Sequence, residues 1–464
     1  MIENAQKQIS NEKNLSPEIK ALFDLLIGVI QILAGKRFAK TSKNSNISPS
    51  MDPNRERKTK AKQERKPGGQ IGHIGCTLQQ VDNPDAVIEI KVNRDKLPLG
   101  HWKHSGYEKR QVFDLKITKQ VTEYRAEIVV NEKGETVTAE FPEGLVQKAQ
   151  YGNGVKAHSV YMSVQQLIPC ERVSEHFDSQ MGLPLSAGTV HNFKEEAYNL
   201  LEPYETWVKE QIRGSKIIHD DETGVVIDGK QEWLHVACND RYTLYYPHEK
   251  RGKEAMDEGG VLSGKGGVMV HDHWKPYFTY ENKEHALCNA HYVRELTAAT
   301  EEGQKWPSRM AELLTETNKQ TIEEGGKLTE EEQQRVRKKY RRILADAEKE
   351  NPVIVQRGEQ KRGRIAQGKT RNLVDRMINH EDDILRFMTD TDVPFTNNQA
   401  ERDIRMAKVQ QKISGSFRSW DGARYFCRIR GYLSTCEKHN ISSADALKLL
   451  FNGQFPNFMR NMAE

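Results

Sequence analysis

The sequence has few cysteines, and they are scattered rather than closely spaced. Its 464 residues include six cysteines, at 76, 170, 238, 288, 427 and 436, and no two have Cys-x-x-Cys spacing. This distribution is typical of reduced thiols in a cytosolic protein and argues against a disulfide framework.

Long hydrophobic runs are also missing. The longest apolar stretch, residues 21–35, contains Asp24 and Gln31, and it is shorter than the roughly 18–20 residues that span a bilayer. No signal peptide opens the chain. We therefore expect a cytoplasmic protein with no membrane partner.

The content of hydrophobic residues, 36%, allows packed cores. The net charge is small, at +4, so the total charge indicates no class of partner. The distribution of charge is more informative. Residues 36–70 contain 11 Lys or Arg against 3 Asp or Glu, a local net charge of +8. Such a segment is either an arm that meets nucleic acid or a soluble linker.

The pattern divides the chain into seven parts. Residues 1–40 predict a helix capped by Ser16, with Pro17 at its first position. Its apolar stripe fits a coiled coil or a helix docked on its own chain.

Residues 41–75 form a basic linker, and 76–150 predict a small β module with strands at 87–90, 111–115 and 127–130. Residues 151–213 predict a helical DNA-binding or connecting region, with a helix near 158–164, a turn at Pro169 and a long helix after 186–190. A helix-turn-helix and an ordinary helical hairpin both fit.

The remaining parts predict an α/β fold with a mixed sheet. Residues 214–300 and 390–464 form its two halves, and 301–389 form a helical insertion. Asp228-Gly229 and Asn239-Asp240 are hairpin signals within the first half. The predicted strands there are 216–219, 224–227, 233–237, 243–246 and 267–271, with a helix at 253–262.

Three acidic islands suggest chemistry: Asp-Asp-Glu-Thr at 220–223, His-Asp-His at 271–273 and Asn-Asn-Gln-Ala-Glu-Arg at 397–402. The first two end short β-type runs, and the third opens a basic helix. Mg²⁺ prefers oxygen ligands, and two ions ~3.5–4 Å apart can stabilise an in-line phosphoryl transfer. Three carboxylates from rigid elements suit such a site.

The residue pattern leaves the first ligand open between Asp220 and Asp221, because strand side chains alternate between faces. Asp272 is the second candidate. His271 and His273 offer a weaker zinc alternative, since no further ligands are grouped with them.

Glu401 is the third candidate. Thr396 and Gln399 predict a capping box, and the helix would continue through Arg402, Arg405, Lys408 and Lys412. Residues 401, 405, 408 and 412 share one face, which predicts Glu401 on metal and the basic residues on phosphates. A simple Glu401–Arg405 ion pair is the alternative.

Several motifs together resemble transposases of the insertion sequence 66 family. They are Thr-Ser-Lys-Asn-Ser at 41–45, Arg-Lys-Pro-Gly-Gly-Gln-Ile-Gly-His-Ile-Gly at 65–75, His-Asp-Asp-Glu-Thr at 219–223, His-Asp-His-Trp-Lys-Pro-Tyr at 271–277, Cys-Asn-Ala-His-Tyr-Val-Arg-Glu-Leu at 288–296, and residues 397–402. The likeness covers nearly the whole chain.

The resemblance implies an RNase H-like core that cleaves DNA at element ends and transfers strands. It selects Asp221 over Asp220, and it implies that Asp221, Asp272 and Glu401 hold two Mg²⁺ (or Mn²⁺) ions without a covalent protein–DNA intermediate. His291 and Arg294 are further candidates for orienting the scissile phosphate. Expected partners are double-stranded DNA in the nucleoid, a second copy or higher assembly, and accessory proteins of the element.

One departure from the family is clear. Its zinc module near 90–115 has no cysteines here, and His101 and His104 alone do not make a site, so we expect no structural zinc. Cys288 and His291 could form half a site, with helix packing as the simpler explanation. Two other functions stay open: an inactive DNA-end-binding or regulatory protein, and a two-metal hydrolase of small phosphate esters.

Overall fold

The computed structural model describes residues 78–264, 266–354 and 365–462, together with residues 19, 22, 23, 26, 40–45, 52 and 54. Most of the predicted N-terminal helix and most of the basic linker therefore lie outside the described residues. The described part contains seven strands and thirteen α-helices. None of these helices is both long and apolar enough to cross a membrane.

The segment before residue 150 has less β structure than the sequence predicts. Strands β1 (Ile128–Val130) and β2 (Thr136–Thr138) form an antiparallel hairpin. The strands predicted at 87–90 and 111–115 are wrong, because neither segment pairs with another strand in the described part of the chain. Ile88 and Val112 are 87% and 92% exposed, and short strands without a packed face are not stable.

Four α-helices, besides a short π-helix at Tyr161–Gln165, occupy residues 151–213, where the sequence predicted a helical pair. They are α1 (Asn153–Val160), α2 (Cys170–Met181), α3 (Ala187–Leu200) and α4 (Glu202–Arg213). Ser186 caps α3 by accepting a hydrogen bond from the backbone N of Thr189. Helix α2 was missed because Pro169 suggests a turn, whereas it occupies the N-cap position and starts the helix.

A five-stranded mixed sheet forms the centre of the molecule, in the order β5-β4-β3-β6-β7. Its strands are β3 (Ile217–Ile227), β4 (Lys230–Cys238), β5 (Thr243–His248), β6 (Val268–His271) and β7 (Glu284–Leu287). β3, β4 and β5 pair antiparallel, while β6 is parallel to both β3 and β7. Asp228 and Gly229, between β3 and β4, both have positive φ, as a type I′ hairpin requires. The predicted mixed α/β fold is confirmed.

Strand β3 differs from the prediction in length. The sequence predicted two short strands, 216–219 and 224–227, separated by the acidic island. The structure has one continuous strand, because residues 219–227 all pair with β4. The first acidic island therefore lies inside a strand, where side chains alternate between the two faces of the sheet.

Two hydrophobic clusters cover the sheet. One joins β3, β4 and β5 to α1–α4 and to the C-terminal helices α11 (Asn398–Ser414), α12 (Trp420–Lys438) and α13 (Ser443–Phe451). Helix α5 (Lys253–Gly259) precedes β6, ending before the predicted residue 262. Met269 of β6 belongs to this cluster, whereas its neighbours Val268 and Val270 belong to the other. The alternation places the two clusters on opposite faces of β6.

The second cluster joins the predicted helical insertion to the helix that precedes it. Its helices are α6 (Asn289–Glu301), α7 (Trp306–Glu323), α8 (Glu330–Glu350), α9 (Lys369–Asn379) and α10 (Glu381–Leu385). They bury Trp306, Tyr340 and Met377 in the same cluster as Val270 of β6 and Leu287 of β7. Thr329 and Glu332 form a capping box at the start of α8. The insertion is thus packed against the parallel edge of the sheet.

Candidate functional site

Asp221 lies on β3, and Asp272 directly follows the adjacent strand β6. His219 of β3 is in register with Val270 of the parallel strand β6, and the two aspartates are each two residues further on. Continued by two residues, this register predicts that the two side chains lie on the same side of the sheet, where the strands are roughly 4.8 Å apart. β6 ends at His271, so Asp272 stands where this strand leaves the sheet.

The side chain of Asp220 lies on the opposite face of β3 from that of Asp221. Its Oδ2 is buried and has no hydrogen-bond partner among the described residues. Burial and the carboxylate of Glu222 raise the pKa of Asp220 well above its usual range, against the opposing charge of Lys283. The continuous strand thus separates Asp220 from Asp221.

The electrostatics of Asp221 reveal its neighbours. Burial raises the pKa of Asp221 well above its usual range, and the carboxylates of Glu222, Asp272 and Glu401 raise it further. Burial also raises the pKa of Asp272, opposed by a hydrogen bond from the backbone N of Trp274, 2.9 Å from Oδ1. Because charge interactions weaken with distance, these couplings indicate that Asp272 and Glu401 each lie within electrostatic range of Asp221.

Glu401 lies in the first turn of α11, which packs against β3 and β4. Its side chain is 30% exposed, and its Oε1 lies 3.9 Å from Sγ of Cys288 and 4.0 Å from Nδ1 of His291. No ion pair joins Glu401 to Arg405 among the described residues. The carboxylate therefore faces the start of α6.

The predicted capping box at Thr396 is wrong. The N-cap of α11 is Asn397, and its side chain makes no capping hydrogen bond. Its Nδ2 instead donates to the carbonyl oxygen of Asp220 at 2.7 Å, and its Oδ1 lies 2.8 Å from Nδ1 of His219. The backbone N of Asn397 donates to Sγ of Cys288 at 3.2 Å. One residue thus ties the start of α11 to both β3 and α6.

Arg251 is a site residue that the sequence reasoning missed. Its guanidinium forms an ion pair with the buried Glu222 at 2.6 Å and lies over the ring of Trp274 at 4.1 Å. Tyr277 donates a hydrogen bond to the other oxygen of Glu222 at 2.5 Å. The charge of Arg251 lowers the pKa of Asp272 against the effect of burial. These partners come from separate segments, so no local pattern predicts them.

The predicted basic residues divide into two groups. Arg402, Arg405 and Lys412 are exposed on α11. Lys408 differs from the expectation of a phosphate-facing cation, because its Nζ donates to the carbonyl oxygen of Gly224 in β3. Burial lowers the pKa of Lys408.

His291 and Arg294, in the first turns of α6, lie beside this site. Burial and the charge of Arg294 lower the pKa of His291 to about 4, so the imidazole is neutral at pH 7. Its Nδ1 is buried with no hydrogen-bond partner in the described part of the chain.

His271 and His273 do not belong to a group of three potential metal ligands among the described residues. Nε2 of His271 lies 2.9 Å from Nδ1 of His285, and burial lowers the pKa of His271 to about 3. Within the described residues, the one group of three potential metal-binding side chains is Cys288, His291 and Glu401, whose ligand atoms all lie within 4.8 Å of one another. The half-site noted in the sequence thus acquires a third donor from α11.

Comparison with known families gives one match. The family model described as Transposase IS66 family matches residues 148–425. The matched region covers α1–α11, the five-stranded sheet and the candidate residues Asp221, Asp272 and Glu401. No match was found among the curated proteins.

Proposed function

Because the chain belongs to the IS66 family of transposases, we propose that it cleaves DNA at the ends of its element and transfers the strands to target DNA by metal-dependent phosphoryl transfer. Family membership implies a DNA substrate, and enzymes of this kind generally use divalent metal ions. The finer assignments below are part of the proposal.

The observation that carries the proposal is the register of β3 with β6. Val270 is opposite His219, and continuing this register by two residues puts Asp221 and Asp272 on one face. The charge of Glu401, on α11, also acts on Asp221. Two strands and one helix supply the three carboxylates, so their relative positions are set by sheet pairing and helix packing. We propose that these three residues are the metal ligands.

The donor set fits hard divalent cations. All three side chains offer oxygen atoms, which Mg²⁺ and Mn²⁺ prefer, and Asp221 is crowded by the other acidic groups. Two Mg²⁺ (or Mn²⁺) ions bound here would stabilise negative charge on the attacking and leaving oxygens of the phosphodiester.

The other residues of the site have supporting roles in this proposal. Asn397 holds Glu401 in place by its bonds to β3, and Arg402, Arg405 and Lys412 bind the DNA backbone from the exposed side of α11. His291 and Arg294 orient the scissile phosphate. Arg251 forms an ion pair with Glu222 and so keeps the negative charge of that carboxylate from adding to the charge of the metal site.

We also propose that the core is RNase H-like, with residues 214–300 and 390–464 as its halves and 301–389 as an insertion. The sheet order, with three antiparallel strands followed by two parallel ones, supports this. The helices of the insertion pack in a hydrophobic cluster separate from that of the C-terminal helices, which supports the proposed bounds of the insertion. Assembly as a dimer or larger complex on DNA belongs to the same proposal.

The test is a cleavage and strand-transfer assay on duplexes carrying the DNA that flanks the reading frame, with Mg²⁺ present. Wild-type protein should give nicked or joined products, and Asp272→Ala should give none while still binding the duplex. Equal products from the two proteins would refute the metal-site proposal. Binding without products in both would instead favour a regulatory end-binding protein.

A further inference from the structure

The group formed by Cys288, His291 and Glu401 has donor chemistry unlike that of the aspartates beside it. It offers one sulfur, one imidazole nitrogen and one carboxylate oxygen, all within 4.8 Å of one another. Sulfur and nitrogen donors suit Zn²⁺, whereas Mg²⁺ takes oxygen donors. The two donor sets therefore prefer different ions and share one residue, Glu401.

The backbone holds Cys288 and His291 in place. Cys288 is the N-cap of α6 and directly follows β7, and the backbone N of His291 donates to its carbonyl oxygen at 3.2 Å. Residues three apart lie on the same side of a helix, so Sγ and the imidazole point the same way. Glu401 closes the group, with Oε1 3.9 Å from Sγ and 4.0 Å from Nδ1.

Of the three donor atoms, Nδ1 of His291 is the one left free for an ion, since Sγ of Cys288 is hydrogen-bonded to the backbone N of Asn397 and to Oε1 of Glu401. Nδ1 of His291 is buried without a hydrogen-bond partner among the described residues, which is costly for a polar atom. Tetrahedral ligand bonds of about 2.0–2.3 Å set donor atoms roughly 3.3–3.6 Å apart, so atoms that now lie up to 4.8 Å apart would have to approach by about 1 Å. Side-chain rotation of Glu401, which is partly exposed, can supply part of that movement.

We propose that Cys288, His291 and Glu401 form a Zn²⁺ site that competes with the Mg²⁺ site for the carboxylate of Glu401. Three protein ligands with an open fourth position are common at zinc sites that are not structural. With Zn²⁺ bound, Glu401 is turned toward α6 and withdrawn from Asp221 and Asp272. Zn²⁺ would then inhibit the Mg²⁺-dependent reaction, and this consequence rests on the proposed function, whereas the binding itself does not.

Binding is tested directly on the full chain with Co²⁺, which takes zinc sites and gives a thiolate-to-metal charge-transfer absorption. Wild-type protein should show this band, saturating at one equivalent, and Zn²⁺ should abolish it while Mg²⁺ should not. Cys288→Ser should lose the band. Cys170→Ser, which changes a partly exposed cysteine on α2, is the matched control and should keep it.

A wild-type protein without the band, or a Cys288→Ser protein that retains it, would overturn the proposal. His291→Gln gives a second, independent variant if Cys288→Ser does not fold, and it should weaken Co²⁺ binding. Loss of an outer-sphere partner already costs about 10–100-fold in metal affinity, so losing a direct ligand should cost at least as much.

Inhibition is tested separately by adding Zn²⁺ to the DNA-cleavage assay at fixed Mg²⁺. For each protein, the Zn²⁺ concentration that halves its own cleavage activity is measured. This concentration should be at least about tenfold higher for Cys288→Ser than for wild type. Equal sensitivity would refute competition for Glu401. Absence of any wild-type cleavage would count against the proposed function, while the Co²⁺ result would still decide whether the site exists.

Discussion

Oδ1 of Asn397 lies 2.8 Å from Nδ1 of His219, across 178 residues of sequence. Nδ2 of the same amide donates to the carbonyl oxygen of Asp220, so Oδ1 must be the acceptor and Nδ1 of His219 must carry the proton. Burial lowers the pKa of His219, in keeping with a neutral ring. This contact fixes the helix that carries Glu401 to the strand that carries Asp221.

Asn397→Asp should therefore impair both stability and catalysis. The substitution replaces the Nδ2 donor with an oxygen facing the carbonyl oxygen of Asp220, which should lower the free energy of unfolding by about 1–3 kcal/mol. At a temperature where the variant is folded, strand transfer should fall by up to about 100-fold through misplacement of Glu401, with DNA affinity retained. Denaturant unfolding and a strand-transfer assay measure the two effects.

The matched control is Asn398→Asp, one residue later. Asn398 is exposed at the first position of α11, where an acidic residue is tolerated by the helix dipole. This variant should keep both stability and activity. If the two variants behaved alike, the bracing role of Asn397 would be refuted.

His235 should make stability depend on pH. It is only 2% exposed, its ring stacks on Tyr246, and burial lowers the pKa of His235 to about 4. Between about pH 6.5 and pH 4 the unfolded chain binds a proton that the folded chain does not. The free energy of unfolding should therefore fall as the pH falls, by up to about 1.4 kcal/mol per pH unit from this residue.

His235→Gln removes the titrating group and should flatten this slope. Urea unfolding of both proteins at pH 7.5, 6 and 5 measures the difference, which should be constant above pH 6.5 and shrink below it. A constant difference across the whole range would show that His235 is protonated equally in both states.

Arg405 and Lys408 should respond differently to substitution. Arg405 is exposed on α11, whereas Nζ of Lys408 is bound to the carbonyl oxygen of Gly224. Arg405→Ala should reduce the slope of log affinity against log salt by about 0.9 for one lost phosphate contact to duplex DNA. Lys408→Ala should leave that slope unchanged and lower the thermal stability instead.

Fluorescence anisotropy with a labelled duplex at several salt concentrations gives both slopes. A reduced slope for Lys408→Ala would mean that this lysine leaves β3 when DNA binds. An unchanged slope for Arg405→Ala would remove it from the DNA-binding surface.

Local patterns predicted the parts of the fold that depend on neighbouring residues. The Asp228-Gly229 hairpin is an example, because its turn geometry is set by two residues with positive φ. The mixed sheet followed from the run of short apolar segments. Where the pattern failed, at 87–90 and 111–115, strand formation depended on a partner and a packed face that the described residues do not provide.

The candidate site was predictable as a set of residues but not as an arrangement. Asp272 and Glu401 were candidates from their positions in short motifs, yet their proximity to Asp221 depends on the β3–β6 register and on the packing of α11. Asn397 was misread because its partners are on β3, far away in sequence. The third donor beside Cys288 and His291 was likewise invisible, since Glu401 follows 113 residues after Cys288.

Comparison of Asp221→Asn with Asp220→Asn tests the central claim most directly. The two substitutions are chemically identical and adjacent, but they act on opposite faces of β3. With both proteins shown to be folded, Asp221→Asn should abolish Mg²⁺-dependent cleavage and strand transfer, while Asp220→Asn should retain them. Loss of products from Asp220→Asn with retention by Asp221→Asn would contradict the account, as would full activity in both.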